Sequence, residues 1–270
     1  MPKFAFFLIV AVALLLTGCS DGQIGPEVEG DLYLTRNYPY TIYAKTPDEV
    51  AQLQDEFNKL NNGRICTELD AFGLTGHTDP CIPDNPVMVI SDQTEIIQIA
   101  KATLLKNAAS TNVTDTSQLH IRQIMTIDES PIRQKITFDD QVYHGYPVDR
   151  SDIVVFYYGD HVYRIGGYWY HDIPMPGNLR LSVTEAQQNL ISLQFDFYCW
   201  YPVKIMIARG MIIDSLTAKY IFPIKNEKSI ELRFTYRFAV SPGQLKIPEF
   251  YIFVNAFTDQ IIEIRPLIIC

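Results

Sequence analysis

The chain has 270 residues and a formal net charge of −9, from 22 basic and 31 acidic side chains. That acidity argues against nucleic acid as a partner and against anionic lipid headgroups, since both reward clustered Lys and Arg. The length suits one large domain or two of ordinary size, and the 16 tyrosines and 15 phenylalanines favour strands.

The first element is a targeting segment. Lys3 is followed by an apolar run from Phe4 to Leu16 and then by Thr17-Gly18-Cys19. A charged start, a short apolar stretch and small residues at a cleavage site make the layout of a secretory signal peptide. The run is too short to span the roughly 30 Å hydrocarbon core as a mature helix. Leu16-Thr17-Gly18-Cys19 resembles the lipobox of bacterial lipoproteins. The resemblance implies cleavage before Cys19, lipidation of its thiol, and a mature chain held outside the cytoplasm in the bacterial cell envelope. Two or more acyl chains would give a stable membrane anchor where one gives marginal binding. Residues 20–29 are polar and read as a tether.

Tyr38 to Ala44 reads as a short strand whose Pro39 favours an edge position. Three helices then share a start signal. Thr46-x-x-Glu49, with Pro47 at the first helical position, opens the first, whose stripe is Val50, Leu53, Phe57 and Leu60. Asp92-x-x-Glu95 opens the second, with Ile97, Ala100, Leu104 and Ala108 on one face. Ser182-x-x-Glu185 opens the third, with Val183, Ala186, Leu190 and Leu193 in line. Between and after them the pattern is strand: Leu119 to Ile127, Ile132 to Tyr143, and a hairpin from Ile153 to Ile165 turning at Gly159-Asp160. Leu232, Phe234, Tyr236, Phe238 and Val240 alternate strictly, and Tyr251 to Phe257 and Ile261 to Ile264 follow. Helix followed by antiparallel strands occurs twice, so the fold class is α+β with two modules, each a helix on a curved antiparallel sheet. Pro174 to Gly177 is the boundary. The expected partition is 1–18 signal peptide, 19–46 lipidated tether and first strand, 47–176 first module with a disulfide loop, and 177–270 second module.

Besides Cys19 there are four cysteines: Cys66, Cys81, Cys199 and Cys270. An even number in an exported chain points to two disulfides with three possible pairings. Pairing of near neighbours favours Cys66–Cys81, with Cys199–Cys270 pinning the C-terminus. Cys66, His77, Asp79 and Cys81 also form a donor set for zinc, but their spacing is not that of a zinc finger. Asp139-Asp140 and Asp149-x-x-Asp152 read as solvated turns, since no EF-hand pattern surrounds them. His77, His120, His144, His161 and His171 are scattered, and no Gly-x-Ser-x-Gly elbow accompanies them. Gly145, Gly159, Gly166 and Gly167 lie among strands, where turns and bulges explain them better than a phosphate loop. Tyr157-Tyr158, Tyr168-Trp169-Tyr170 and Trp200-Tyr201 read mainly as core. No cofactor, metal or catalytic residue is expected.

Gln141-Val142-Tyr143-His144-Gly145-Tyr146-Pro147-Val148, followed by the Ile153 hairpin and Gly166-Gly167, resembles the fungalysin/thermolysin propeptide motif, carried by Gln141, Tyr143, Gly145, Pro147 and Val148. Leu181 to Ala186 and Tyr251 to Ile261 resemble the PepSY domain that follows in such propeptides, with Asn255 and Asp259 departing from its usual Asp and Gly. The resemblance covers about Asp92 to Ile264. It implies a cystatin/PepSY-like fold and segments that hold a zinc metalloprotease inactive and help it fold. His-Glu-x-x-His, which would place two zinc ligands and a base on a helix, does not occur. The expected function is therefore a non-enzymatic, lipid-anchored envelope protein. It would bind another protein, a peptidase, as inhibitor or folding aid. The alternative is an accessory lipoprotein that regulates an envelope sensor kinase or another envelope complex.

Overall fold

The computed structural model describes residues 38–76, 81, 83–129, 132–198, 202–243 and 247–267. Cys19, His77, Asp79, Cys199, Trp200, Tyr201 and Cys270 lie outside the described residues, and with them the expected lipidation site and the expected Cys199–Cys270 disulfide. The chain folds as α+β, with helices on antiparallel sheets. Among the described residues no helix is long and apolar enough to cross a membrane.

The helix signals hold at the level of single hydrogen bonds. In α1 (Pro47–Leu60) the Thr46 hydroxyl accepts from the Glu49 N–H at 3.3 Å, and the Glu49 carboxylate accepts from the Thr46 N–H at 2.7 Å. The α4 helix (Val183–Leu190) repeats this pairing with Ser182 and Glu185 at 3.2 and 2.7 Å. These reciprocal bonds satisfy donors the first turn leaves unpaired. The backbone N–H groups of Thr46 and Ser182 hold both glutamates below their ordinary pKa. The α2 helix (Gln93–Lys106) has only half of the device. Asp92 accepts from Thr94, but Glu95 does not reach back. The expected α2 stripe is also shifted. Ile96, Ala100 and Leu104 are buried, Ile97 and Ala108 only partly, and the chain breaks at Asn107 before a single turn, α3 (Ala108–Thr111). In α1 only Phe57 is buried and Leu60 is exposed, so this helix covers the core with one turn rather than a full stripe.

The first sheet has the order β2 (Ile121–Glu129), β3 (Ile132–Phe138), β6 (Ile153–Tyr158), β7 (His161–Gly167), all antiparallel. The α2 residues Ile96, Ala100 and Leu104 pack with Ile136, Phe138, Ile153, Val155 and Ile165 on one face. On the other face Phe156, Tyr158 and Tyr163 pack beneath Cys66 and Cys81, which form a disulfide with Cα atoms 6.3 Å apart. The disulfide thus covers part of the second face of the first sheet, while Ile121, Met125 and Ile127 of β2 stay exposed.

The second sheet centres on β11 (Ser229–Val240), whose alternating Leu232, Phe234, Tyr236, Phe238 and Val240 are all buried, as their spacing predicts. The long strand β10 (Ile212–Lys225) pairs along one side of it. The other side is shared end to end. β1 (Tyr40–Tyr43) pairs with Ser229–Leu232, and β12 (Phe250–Asn255) pairs with Thr235–Val240. β13 (Ile261–Pro266) lies outside β12, and α4 packs Ala186 and Leu190 on the core face. The gap between β1 and β12 leaves the Phe234 N–H without a strand partner. Tyr38 fills that gap, its hydroxyl oxygen accepting from Phe234 N at 2.7 Å. Burial raises the Tyr38 pKa to about 12. A separate hairpin, β8 (Gln194–Tyr198) and β9 (Pro202–Met206), packs Phe195 and Phe197 edge-on against Phe250.

Two expectations need correcting. Ile132 to Tyr143 is not one strand. β3 stops at Phe138, and Val142–Tyr143 (β4) forms a two-residue ribbon with Tyr146–Pro147 (β5). Asp139 and Asp140, drawn to Arg122, mark the break. The modules also do not follow one another as separate blocks. The first strand belongs to the second sheet, and Phe72, Leu74, Val148, Tyr170 and Ile173 pack into the second core.

Phe234 touches Tyr38 and Tyr146, with ring centroids 5.6 and 5.3 Å away. Phe234→Ala is expected to cost about 3–5 kcal/mol in urea unfolding and to raise hydrogen exchange in β1 and β5 together. Cys66→Ser with Cys81→Ser, other cysteines kept, is expected to cost about 3 kcal/mol for a loop of this size, read as a lower urea midpoint.

Candidate functional site at the junction of the two modules

The Gln141–Val148 segment folds as a clasp. His144 and Gly145 both adopt positive φ, 48° and 84°, and turn the chain between β4 and β5. Positive φ at both central positions is the hairpin geometry that matches strand twist, and Gly145 takes it without a Cβ penalty. No atom lies within 4 Å of where a Gly145 Cβ would sit, so conformation rather than space requires the glycine.

Gln141 is buried, and its carboxamide serves as a substitute strand. Nε2 donates to the Tyr170 carbonyl, and Oε1 accepts from the Tyr170 N–H at 3.0 Å. The Gln141 N–H donates to Ser151 Oγ at 2.7 Å, and Ser151 in turn donates to the Val148 carbonyl at 2.7 Å. Val148 is fully buried in the second core and bridges to Ile221 of β10. The next residue donates its N–H to the Ile221 carbonyl at 2.9 Å. Tyr143 and Tyr146 pack against the second core, and Pro147 occupies β5 opposite Val142.

Beyond the motif, the Asp149 carboxylate receives two hydrogen bonds from Arg265 of β13, at 2.9 and 2.7 Å. Its side chain is only 8% exposed, so this pair sits where the solvent screens it poorly. Burial by itself would lower the Arg265 pKa. Hydrogen bonds to Asp149 and Glu263 outweigh that and hold the guanidinium above the ordinary arginine value. Arg150 adds an exposed bond to Glu263 at 2.6 Å. A second ionic contact lies at the end of β10. Lys225 Nζ reaches Asp70 Oδ2 at 3.1 Å and also contacts the Tyr168 hydroxyl, which donates to Asp70 at 2.7 Å. Burial, then the hydrogen bond and charge of Asp70, raise the Tyr168 pKa. Asp70 also accepts from the N–H groups of Phe72 and Leu74, so one carboxylate shapes its own loop and binds the second sheet.

The other sequence candidates separate. Arg122 gathers Asp139, Asp140 and Asp152 within 3.2, 3.0 and 3.7 Å, so three of the four carboxylates share an arginine while Asp149 serves the clasp. Tyr157, Tyr158, Trp169 and Tyr170 are core residues, and Tyr168 stacks on Tyr170. His120 and His144 are exposed, and His171 pairs with Asp172. His161 is buried, with Nδ1 2.6 Å from Asp160 Oδ1 and Nε2 without a hydrogen-bond partner. Among the described residues no three His, Cys, Asp or Glu side chains are placed to hold a metal ion. An open groove of about 780 Å³ runs between α1 and residues 63–71, lined by Val50, Ala51, Gln54, Ile65, Thr67 and Leu69 among others. Sequence reasoning missed Asp70, Lys225 and Arg265, because their partners lie far along the chain and no local pattern marks them.

Gln141→Ala removes both partners of buried Tyr170 backbone groups and is expected to cost about 2–4 kcal/mol in denaturant unfolding. Asp149→Asn is expected to destabilise by a further, separately measurable amount, and the double variant should fall short of the sum because the two act on one clasp.

No family model matches this chain, and no curated protein matches it. Among solved structures, the Bacillus megaterium YpeB C-terminal domain aligns with 83% of this chain and 99% of its own, at a TM-score of 0.30 and 14% sequence identity. So loose a superposition carries no argument about detailed fold or activity.

Proposed function

We propose that this is a lipid-anchored protein of the bacterial cell envelope that binds a peptidase, as a propeptide-like inhibitor or folding aid. The observation that carries the reading is the conformation of the motif that resembles the fungalysin/thermolysin propeptide. Gln141 and Val148 are buried, Tyr143 packs against the second core, Pro147 pairs in the short ribbon and the exposed Gly145 turns it, so that the segment ties one helix-on-sheet module to the other. A clasp of that kind yields a pre-organised body, and pre-organisation raises affinity by removing the cost of ordering the binder. The PepSY-like reading of the second module and the lipobox reading of Cys19 belong to the same proposal. Anchoring would raise the local concentration of such a binder beside envelope partners.

Two experiments test it. Metabolic labelling with palmitate should mark the wild-type chain and not Cys19→Ser, and the variant should leave the membrane fraction. Label retained by the variant would remove the anchor. Crosslinking in cells followed by mass spectrometry should capture a peptidase. Capture of a sensor kinase in its place would transfer the function to envelope signalling.

A further inference from the structure

We propose that the groove between α1 and residues 63–71 binds an extended peptide segment of another protein, mostly apolar and uncharged. The proposal rests on hydrogen-bonding groups left open along one wall and does not depend on the peptidase reading.

That wall offers backbone groups in the manner of a strand edge. The Cys66 N–H donates to the Tyr163 carbonyl of β7 at 2.9 Å, while the Thr67 carbonyl and the Leu69 N–H bond to Gln54 of α1, at 3.1 and 2.8 Å. Residues 64–70 form no regular ladder with β7. The Thr67 hydroxyl takes that place, bonded to the carbonyl and the N–H of Ile165 at 2.9 and 2.8 Å. The Gln54 carboxamide thus donates to one residue and accepts from the next but one, as a peptide group of a parallel strand does. It serves that position alone. The Thr67 N–H and both backbone groups of Ile65 have no hydrogen-bond partner among the described residues. Yet Ile65 and Thr67 are only 4% and 2% exposed, and both line the groove. Backbone groups with so little access to water are ordinarily paired.

The rest of the lining selects the occupant. The volume of about 780 Å³ lies within the roughly 300–1,000 Å³ of ligand pockets. Val50 and Ala51 of α1 supply apolar surface on the other wall. The Lys45 N–H donates to the Ala71 carbonyl at 2.8 Å and joins the walls there, whereas nothing lies within 4 Å of where a Gly63 Cβ would sit. The lining carries one cation and one anion, Lys45 and Glu68, so no net charge recruits a phosphate or an anionic headgroup. An acyl chain would cover the apolar surface and leave Ile65 and Thr67 unpaired. A peptide meets both demands. Its backbone brings a donor and an acceptor with each residue, and a strand added along an edge seats alternate side chains in pockets.

The test uses the full chain and a phage-displayed library of random heptapeptides. Selection should enrich peptides poor in charge, and the best of them, fluorescein-labelled, should bind saturably by polarisation. The Ile65 and Thr67 amides should exchange fast in the chain alone and at least tenfold more slowly with the peptide bound. N-methylation of the peptide backbone should weaken binding at least tenfold. So should Ala51→Trp, which sets an indole into the groove from an exposed helical position, with the urea midpoint unchanged. Equal binding to wild type and Ala51→Trp would overturn the groove assignment. Failure to enrich any peptide over the Ala51→Trp chain would overturn it as well. Slow exchange at Ile65 and Thr67 before any peptide is added would put a segment of this chain in the groove and overturn the outside partner. None of these outcomes decides whether crosslinking captures a peptidase, so the two readings fail separately.

Discussion

A carboxylate that is nearly shut off from solvent must be paired, and in this protein the pairing of Asp149 organises the molecule. Asp149 follows directly on the Gln141–Val148 segment, and its partner Arg265 is on the last strand of the second sheet. Leaving one member of a buried pair alone costs far more than the pair is worth. The Asp149 carboxylate is therefore compensated only where the last described strand packs against it. Val148 and the Ile221 bridge apply the same condition through burial and backbone hydrogen bonds.

That dependence makes the two modules one body. The second sheet takes its β1 from the beginning of the described chain, and the second core takes Phe72, Leu74, Val148, Tyr170 and Ile173 from the first half. The Asp70–Lys225–Tyr168 contact fixes the disulfide-loop region to the end of β10. Its described surface includes an open groove beside α1 and an exposed apolar run at residues 87–89. The Gln141–Val148 segment, by which the resemblance is drawn, serves internal cohesion.

The motif residues also explain why a resemblance of this type marks architecture more directly than activity. Gln141 supplies a donor and an acceptor where no strand continues, Gly145 supplies a backbone conformation, and Val148 supplies a buried methyl pair. Each role is satisfied within the chain and specifies no ligand. A fold supports many functions, and function belongs to the site grafted on it.

What the sequence determined by itself is whatever depends on neighbours a few residues apart. The capping pairs Thr46–Glu49 and Ser182–Glu185, the turn at Gly159-Asp160 and the alternation along β11 are readable because the interacting groups are separated by two to four positions. The α+β class and the helix-on-sheet plan of each half follow from them. Only the tertiary structure decided that β1 joins the distant β11, that β3 stops at Phe138 while Arg122 collects the aspartates after it, and that Ile96 replaces Ile97 on the buried face of α2. It also decided the pairs Asp149–Arg265 and Asp70–Lys225, whose partners lie 116 and 155 residues apart. The physical reason is common to all of these. A local pattern states which face of an element is apolar, but which surface covers that face, and which distant charge meets a buried one, is settled only when the whole chain has packed.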